Sequence, residues 1–101
     1  MHVIVIWLKH PNDAGACQRL INASQTFLQI PSVCEVRAGT MIPSTRPGVD
    51  SSFDVAVVMT FTNAAALRNF ATNPLHQKEI RDTLKPLAQK FRVYDFSLPR
   101  E

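Results

Sequence analysis

The most restrictive feature of the chain is a pair of segments that read as strands yet have no polar side. From His2 to Lys9, even positions hold His2, Ile4, Ile6 and Leu8, and odd positions hold Val3, Val5, Trp7 and Lys9. From Phe53 to Phe61, the residues Phe53, Val55, Val57, Met59 and Phe61 share one face, while Ala56 and Val58 lie on the other. An antiparallel sheet with helices on one side ordinarily alternates apolar with polar. A sheet apolar on both sides needs cover on both. Leaving Val3, Val5 and Trp7 in water forgoes roughly 1.5–3 kcal/mol for each larger side chain.

The rest of the chain supplies too few helices for that. After the turn Lys9 to Asp13, where Asn12 or Asp13 can cap, a helix is expected from Ala14 to about Leu28. Its buried stripe is Cys17, Leu20, Ile21, Ser24, Phe27 and Leu28. Pro31 ends it. A second strand runs from Val33 to about Ile42, with Cys34, Val36 and Ala38 on one face and Glu35 and Arg37 on the other. Pro43 to Ser52 is a patternless loop, expected to be mobile. After the Phe53–Phe61 strand, Thr62 or Asn63 caps a short helix with Ala66, Leu67, Phe70 and Ala71 inward. Asn73 caps another, with Pro74 at its first position. Ile80, Leu84, Leu87 and Phe91 continue a stripe that Pro86 must kink or restart. A fourth strand, Arg92 to Leu98, closes the chain.

The order β-α-β-β-α-β predicts an α+β, ferredoxin-like fold: a four-stranded antiparallel sheet with helices on one face. The uncovered face then predicts a homodimer through Val3, Val5, Trp7, Ala56 and Val58, since a two-fold pair is the commonest cover for such a surface. The Pro43–Ser52 loop is too polar to replace a partner.

At 101 residues the chain is expected to form one domain, 1–101, with a marginal core if alone. With 46% hydrophobic and 19% charged residues it reads as globular. A net charge of +3, with basic residues spread along the chain and 8% aromatics, does not point to nucleic acid. The apolar run Val3–Leu8 is too short for a membrane span or signal core, so a cytoplasmic location is expected. Cys17 and Cys34 fit neither a metal spacing nor a disulfide framework, and three scattered histidines add no ligand pattern. Neither a metal nor a cofactor is expected. Lys78, Arg81 and Lys85, interleaved with Glu79 and Asp82, read as a salt-bridged outer face.

Several segments, taken in order, resemble one family. They are His2-Val3-Ile4-Val5, Ile30-Pro31-Ser32-Val33, Ala38-Gly39-Thr40, the Thr60-Phe61 strand end, Asn73-Pro74-Leu75-His76, and Val93-Tyr94-Asp95-Phe96. The set is similar to the stress-responsive A/B barrel (Dabb) family and spans nearly the whole chain. The resemblance implies small ferredoxin-like units that pair into a dimeric α+β barrel, few of them with a known activity.

His76 is the leading candidate for a working residue. At a helix start the positive dipole end disfavours imidazolium, so a neutral imidazole there can act as a general base. The alternative is a histidine that bonds a backbone carbonyl and fixes the connection between helices. His2 shares the face of Ile4 and Ile6, and either converges with His76 in a pocket between sheet and helices or stays half-exposed. Phe27, Val57, Phe70 and Asn73 complete the expected ligand-binding set, and His10 is a solvated turn residue.

A plant polyketide cyclase of the family resembles this chain in having histidines at the positions of His76 and His2. It carries an aromatic hydroxyl where this chain has Phe70, which can neither donate nor accept a proton. Many relatives carry histidine at Asn73. An enolate donor is therefore missing unless a backbone N–H, Asn73 or water supplies it. Two functions stay open. One is a structural or small-molecule-binding module. The other is a cofactor-independent cyclase or monooxygenase-like enzyme acting on aromatic or polyketide-like molecules, with His76 as base.

Overall fold

The computed structural model describes residues 1–99. Strand β1 spans His2–Leu8, β2 Val33–Thr40, β3 Val55–Phe61 and β4 Ala88–Asp95. They form one antiparallel sheet in the order β2-β3-β1-β4. Helix α1, Ala14–Gln25, opens on Asp13, whose carboxylate accepts the Ala16 N–H, and ends in a 3₁₀ turn, Thr26–Gln29. Helix α2, Ala64–Phe70, is capped by Asn63, and α3, Pro74–Glu79, by Asn73. A π-helical stretch, Ile80–Leu84, follows α3 and leads into a single turn, α4, Lys85–Leu87.

Register explains the doubly apolar strands. His2 pairs with Met59 and Asp95, Ile4 with Val57 and Val93, and Ile6 with Val55 and Phe91, so all of these share the helix-facing side. There Ile6, Val55, Val57 and Met59 are buried with Leu20, Phe27, Phe70 and Leu84 in one core. Val3, Val5, Trp7, Ala56 and Val58 lie on the opposite, outer face and remain half-buried.

Four local expectations need correcting. Cys34 does not share a face with Val36. The register slips between Val33 and Glu35, a bulge that buries Val33 and Val36 and leaves Cys34 exposed. Ala71 is exposed rather than part of the α2 stripe. Phe91 does not belong to a helix, because β4 begins at Ala88 and pairs Phe91 with Ile6. Leu28, expected on the α1 stripe, lies in the 3₁₀ turn and is 48% exposed. Pro86, in contrast, stands in the first turn of α4 and restarts the helix as expected, after Lys85 N–H reaches back five residues to the Ile80 carbonyl.

The loop between β2 and β3 is tethered. Trp7 Nε1 donates to Ser52 Oγ at 3.0 Å, and Ser52 Oγ donates to Asp50 at 2.6 Å. Lys90 Nζ lies 4.6 Å from the Trp7 ring centroid, on the same outer face. Asp54 fixes the β1–α1 turn by accepting the Leu8 and Asn12 N–H groups, at 2.9 and 3.3 Å, with Asn12 at a φ of 66°.

Candidate functional site

The local sequence around His76 dictates its position. Asn73 accepts the Leu75 N–H at 2.9 Å, and Pro74 starts the helix where no intrahelical N–H is needed. His76 is thereby turned toward the helix side of the sheet, against Phe70 and Phe27, with ring centroids 4.3 and 5.9 Å away. Phe70 is the hub. It also contacts Phe27 at 5.1 Å, Phe61 at 5.1 Å and His2 at 6.0 Å.

Two spaces share this cluster. A small pocket of about 60 Å³ is lined by His2, Phe27, Val57, Phe70 and His76 with their neighbours. An open cleft of about 570 Å³ lies between α2 and β4, and His2, Phe70 and His76 line it too. The structure therefore brings His2, Phe27, Val57, Phe70 and His76 together. Asn73 lines neither space, and its side-chain carbonyl is committed to the helix cap.

His76 Nδ1 is buried and no protein group satisfies it. Its pKa is lowered by burial; the Ala71 backbone, which falls short of hydrogen-bond geometry, works in the opposite sense, and the nearby His2 adds a smaller lowering. The direction matches the sequence expectation, but the leading cause is desolvation rather than the helix dipole. A neutral imidazole keeps one donor and one acceptor nitrogen.

Asp95 is a site residue that sequence reasoning missed. Its carboxylate binds His2 Nδ1 at 2.6 Å, with side-chain exposures of 13% for His2 and 49% for Asp95. A carboxylate only accepts, so Nδ1 carries the proton and Nε2 is left for other partners. The signal was available. In this topology β1 and β4 are antiparallel neighbours, so position 2 must lie opposite the end of the last strand.

Other chemistry finds less support. The Cys17 thiol is buried, and its pKa is raised by that burial and by Asp54 and Asp13, which disfavours the thiolate. Among the described residues no three His, Cys, Asp or Glu side chains gather as a metal-ligand group. Lys78 lies 3.8 Å from Asp82, part of the expected salt-bridged face, but Glu79, 3.7 Å from Lys78, is only 14% exposed and lines the small pocket beside His76 rather than the outer face.

A β2-β3-β1-β4 sheet with helices on one side and an aromatic cleft beneath them defines a ferredoxin-like α+β protein. Over residues 1–98 the sequence matches the family model of the stress responsive A/B barrel domain, and the chain belongs to that family. No curated protein matches it.

Solved structures share the fold. A Dabb family protein with a ferredoxin-like fold from Mesorhizobium loti is 23% identical, over 98% of this chain and 95% of that one, with a TM-score of 0.75. A dimeric ferredoxin-like protein from Thermobifida fusca is 17% identical, over 96% and 88%, with a TM-score of 0.73. The hydroxynitrile lyase from Passiflora edulis is 21% identical, over 97% and 94%, with a TM-score of 0.69. Among the described residues no helix is long and apolar enough to cross a membrane.

Proposed function

We propose that the chain is a one-domain, homodimeric module that binds a small apolar or aromatic molecule carrying an oxygen function. The ligand lies between helices and sheet beside His76, and the setting is the cytoplasm, in keeping with the two unpaired cysteines. One observation carries the reading: a buried ring nitrogen with no protein partner, in a wall of Phe27, Phe70 and Val57. Leaving such a group unmatched costs about 1–3 kcal/mol. A ligand hydroxyl, which both donates and accepts, pairs with Nδ1 in either tautomer. Packing Val3, Val5, Trp7, Ala56 and Val58 against their copies covers the outer face, and the dimeric Thermobifida fusca neighbour supports that arrangement.

Titration with 1-naphthol, followed by NMR of the histidine and phenylalanine rings, tests the binding reading. The His76 and Phe70 signals are expected to move while His10, in its exposed turn, stays still. Equal movement of His10, or none anywhere, would refute it.

The pairing of His2 with Asp95 at the same cleft favours a second reading, a cofactor-independent cyclase or monooxygenase-like enzyme. In the cyclase case His76 removes a proton α to a carbonyl. His2, fixed by Asp95 through Nδ1, orients a water that donates to the enolate oxygen that Phe70 cannot serve. Incubation of a hydroxyacetophenone in D₂O would then show accelerated α-deuteration that His76→Gln removes. Deuteration at the buffer rate leaves the binding role alone.

A further inference from the structure

The cleft beside His76 holds one guanidinium with no ion-pair partner among the described residues. Along α2 and into its C-cap, Ala64, Leu67, Arg68 and Ala71 recur at i, i+3, i+4 and i+7, the spacing of one helix face, and all four line the cleft. Arg68 is thus a cation set in an apolar wall. A place in the last helical turn suits a positive charge, but any side of that turn would serve the dipole equally.

The opposite wall is the helix-facing side of β4. Phe91 and Val93 pair with Ile6 and Ile4, yet they are 46% and 42% exposed where Ile6 is 3% exposed. The helix layer stops short of the edge strand. The result is an apolar trough running from Phe91 to Asp95, roughly 13 Å along the strand.

The carboxylates nearby are already engaged. Asp95 is held by His2 at 2.6 Å, and Glu79 accepts from Thr83 at 3.0 Å with Lys78 at 3.7 Å. Among the described residues no carboxylate lies within ion-pair distance of Arg68. One guanidinium beside an apolar bed matches one planar carboxylate, bound through two parallel hydrogen bonds. A dianionic phosphate fits poorly, because it would meet a single cation and the Asp95 carboxylate in the same trough.

We propose that the cleft receives an amphipathic monocarboxylate, an alkyl or aryl carboxylic acid, with Arg68 as its counter-ion and Phe91 and Val93 as its bed. This rests on the small-molecule reading given above and names the ligand class.

The test uses octanoate, octan-1-ol and octyl phosphate, each titrated into methyl-labelled protein. Val93 methyl signals report the trough, and Val3 on the outer face serves as control. Octanoate is expected to move Val93 but not Val3, about tenfold more tightly than the alcohol, as a charge-assisted pair implies. Arg68→Gln should bring octanoate down to the alcohol's affinity and leave the alcohol unchanged. Arg68→Lys, which keeps charge without the fork, should fall between. Because Arg68 is exposed, an unchanged amide spectrum of each variant shows that the fold is intact.

Equal affinities for acid and alcohol in the unaltered protein, or octanoate binding indifferent to Arg68→Gln, would overturn the carboxylate assignment while the cleft reading stood. Octyl phosphate binding more tightly than octanoate would overturn it as well. If no probe moves Val93, both readings fall together.

Discussion

His2 and Asp95, 93 residues apart in sequence, share a 2.6 Å hydrogen bond between the first strand and the last. The pair closes one end of the cleft and sets the His2 ring against Phe70 and Phe61. Asp95 is half exposed, so the pair is worth little as an ion pair. Asp95→Asn is expected to cost less than about 1 kcal/mol of stability in chemical denaturation. It should nevertheless shift the His2 ring resonances. A loss several times larger would mean that Asp95 carries structural weight not visible in its contacts.

Burial lowers the His76 pKa, and the sign of the stability effect follows. The folded state holds the neutral ring, so between the folded and unfolded pKa values the unfolded chain binds more protons. Stability from this group is complete above the ordinary histidine value, about 6.5, and falls as pH drops through the folded pKa. Denaturation at pH 7.5 and pH 5 should show a loss at acid pH that His76→Gln reduces. An NMR titration of the His76 ring with a midpoint at or above 6.5 would contradict the account.

Asn73 separates structural from functional roles. Its carbonyl caps α3 and lies outside both spaces, so Asn73→Ala should cost roughly 1 kcal/mol, as loss of a cap does. Affinity for a cleft ligand should be unaffected once that loss is allowed for. A large affinity drop at full foldedness, by calorimetry, would place Asn73 in the binding set after all.

The outer face gives the sharpest test of assembly. Light scattering should report twice 11.3 kDa for the unaltered chain. Val5→Arg sets a second cation opposite Arg92 and among Val3, Trp7 and Val58, and should return the mass to a single chain with lower stability. A folded 11.3 kDa particle before any substitution would remove the dimer from the reading.

Deep core positions answer to packing alone. Met59 is 1% exposed, at the centre of β3. Met59→Ala is expected to cost about 2–5 kcal/mol, measured by urea denaturation, since little around it can collapse into the gap. A cost below 1 kcal/mol would mean a looser interior than the burial indicates.

Much of this was legible in the sequence because the signals were periodic. Alternation in Val55, Val57 and Met59, and apolar residues on both sides of β1, fixed strands, faces and element order. What escaped was decided by contacts distant in sequence. Ala88 to Phe91 carries no strong strand signature, yet pairing with β1 makes it strand, and Phe91 happened to continue the Ile80–Leu84–Leu87 spacing. The bulge at Val33 inverted Cys34 without any glycine or proline to announce it. The helix start pointed to His76, but burial among Phe27 and Phe70 rather than the helix end lowers its pKa, and the Asp95-held companion His2 required knowing which strands are neighbours. Nothing in the sequence sets Arg68 apart, because the cleft it lines exists only where the edge strand is left uncovered.

The tether between Trp7 and Ser52 ties two properties that would otherwise be independent. The indole that pins the long connection between β2 and β3 belongs to the outer face proposed above to receive a second copy. Whatever seats that surface would also stiffen the connection, so access of an Asp-specific endoproteinase to the bond before Asp50, an exposed residue within it, becomes a gauge of pairing. Such a protease would nick separated chains quickly and associated ones slowly, and the molecule thus carries its own reporter of association.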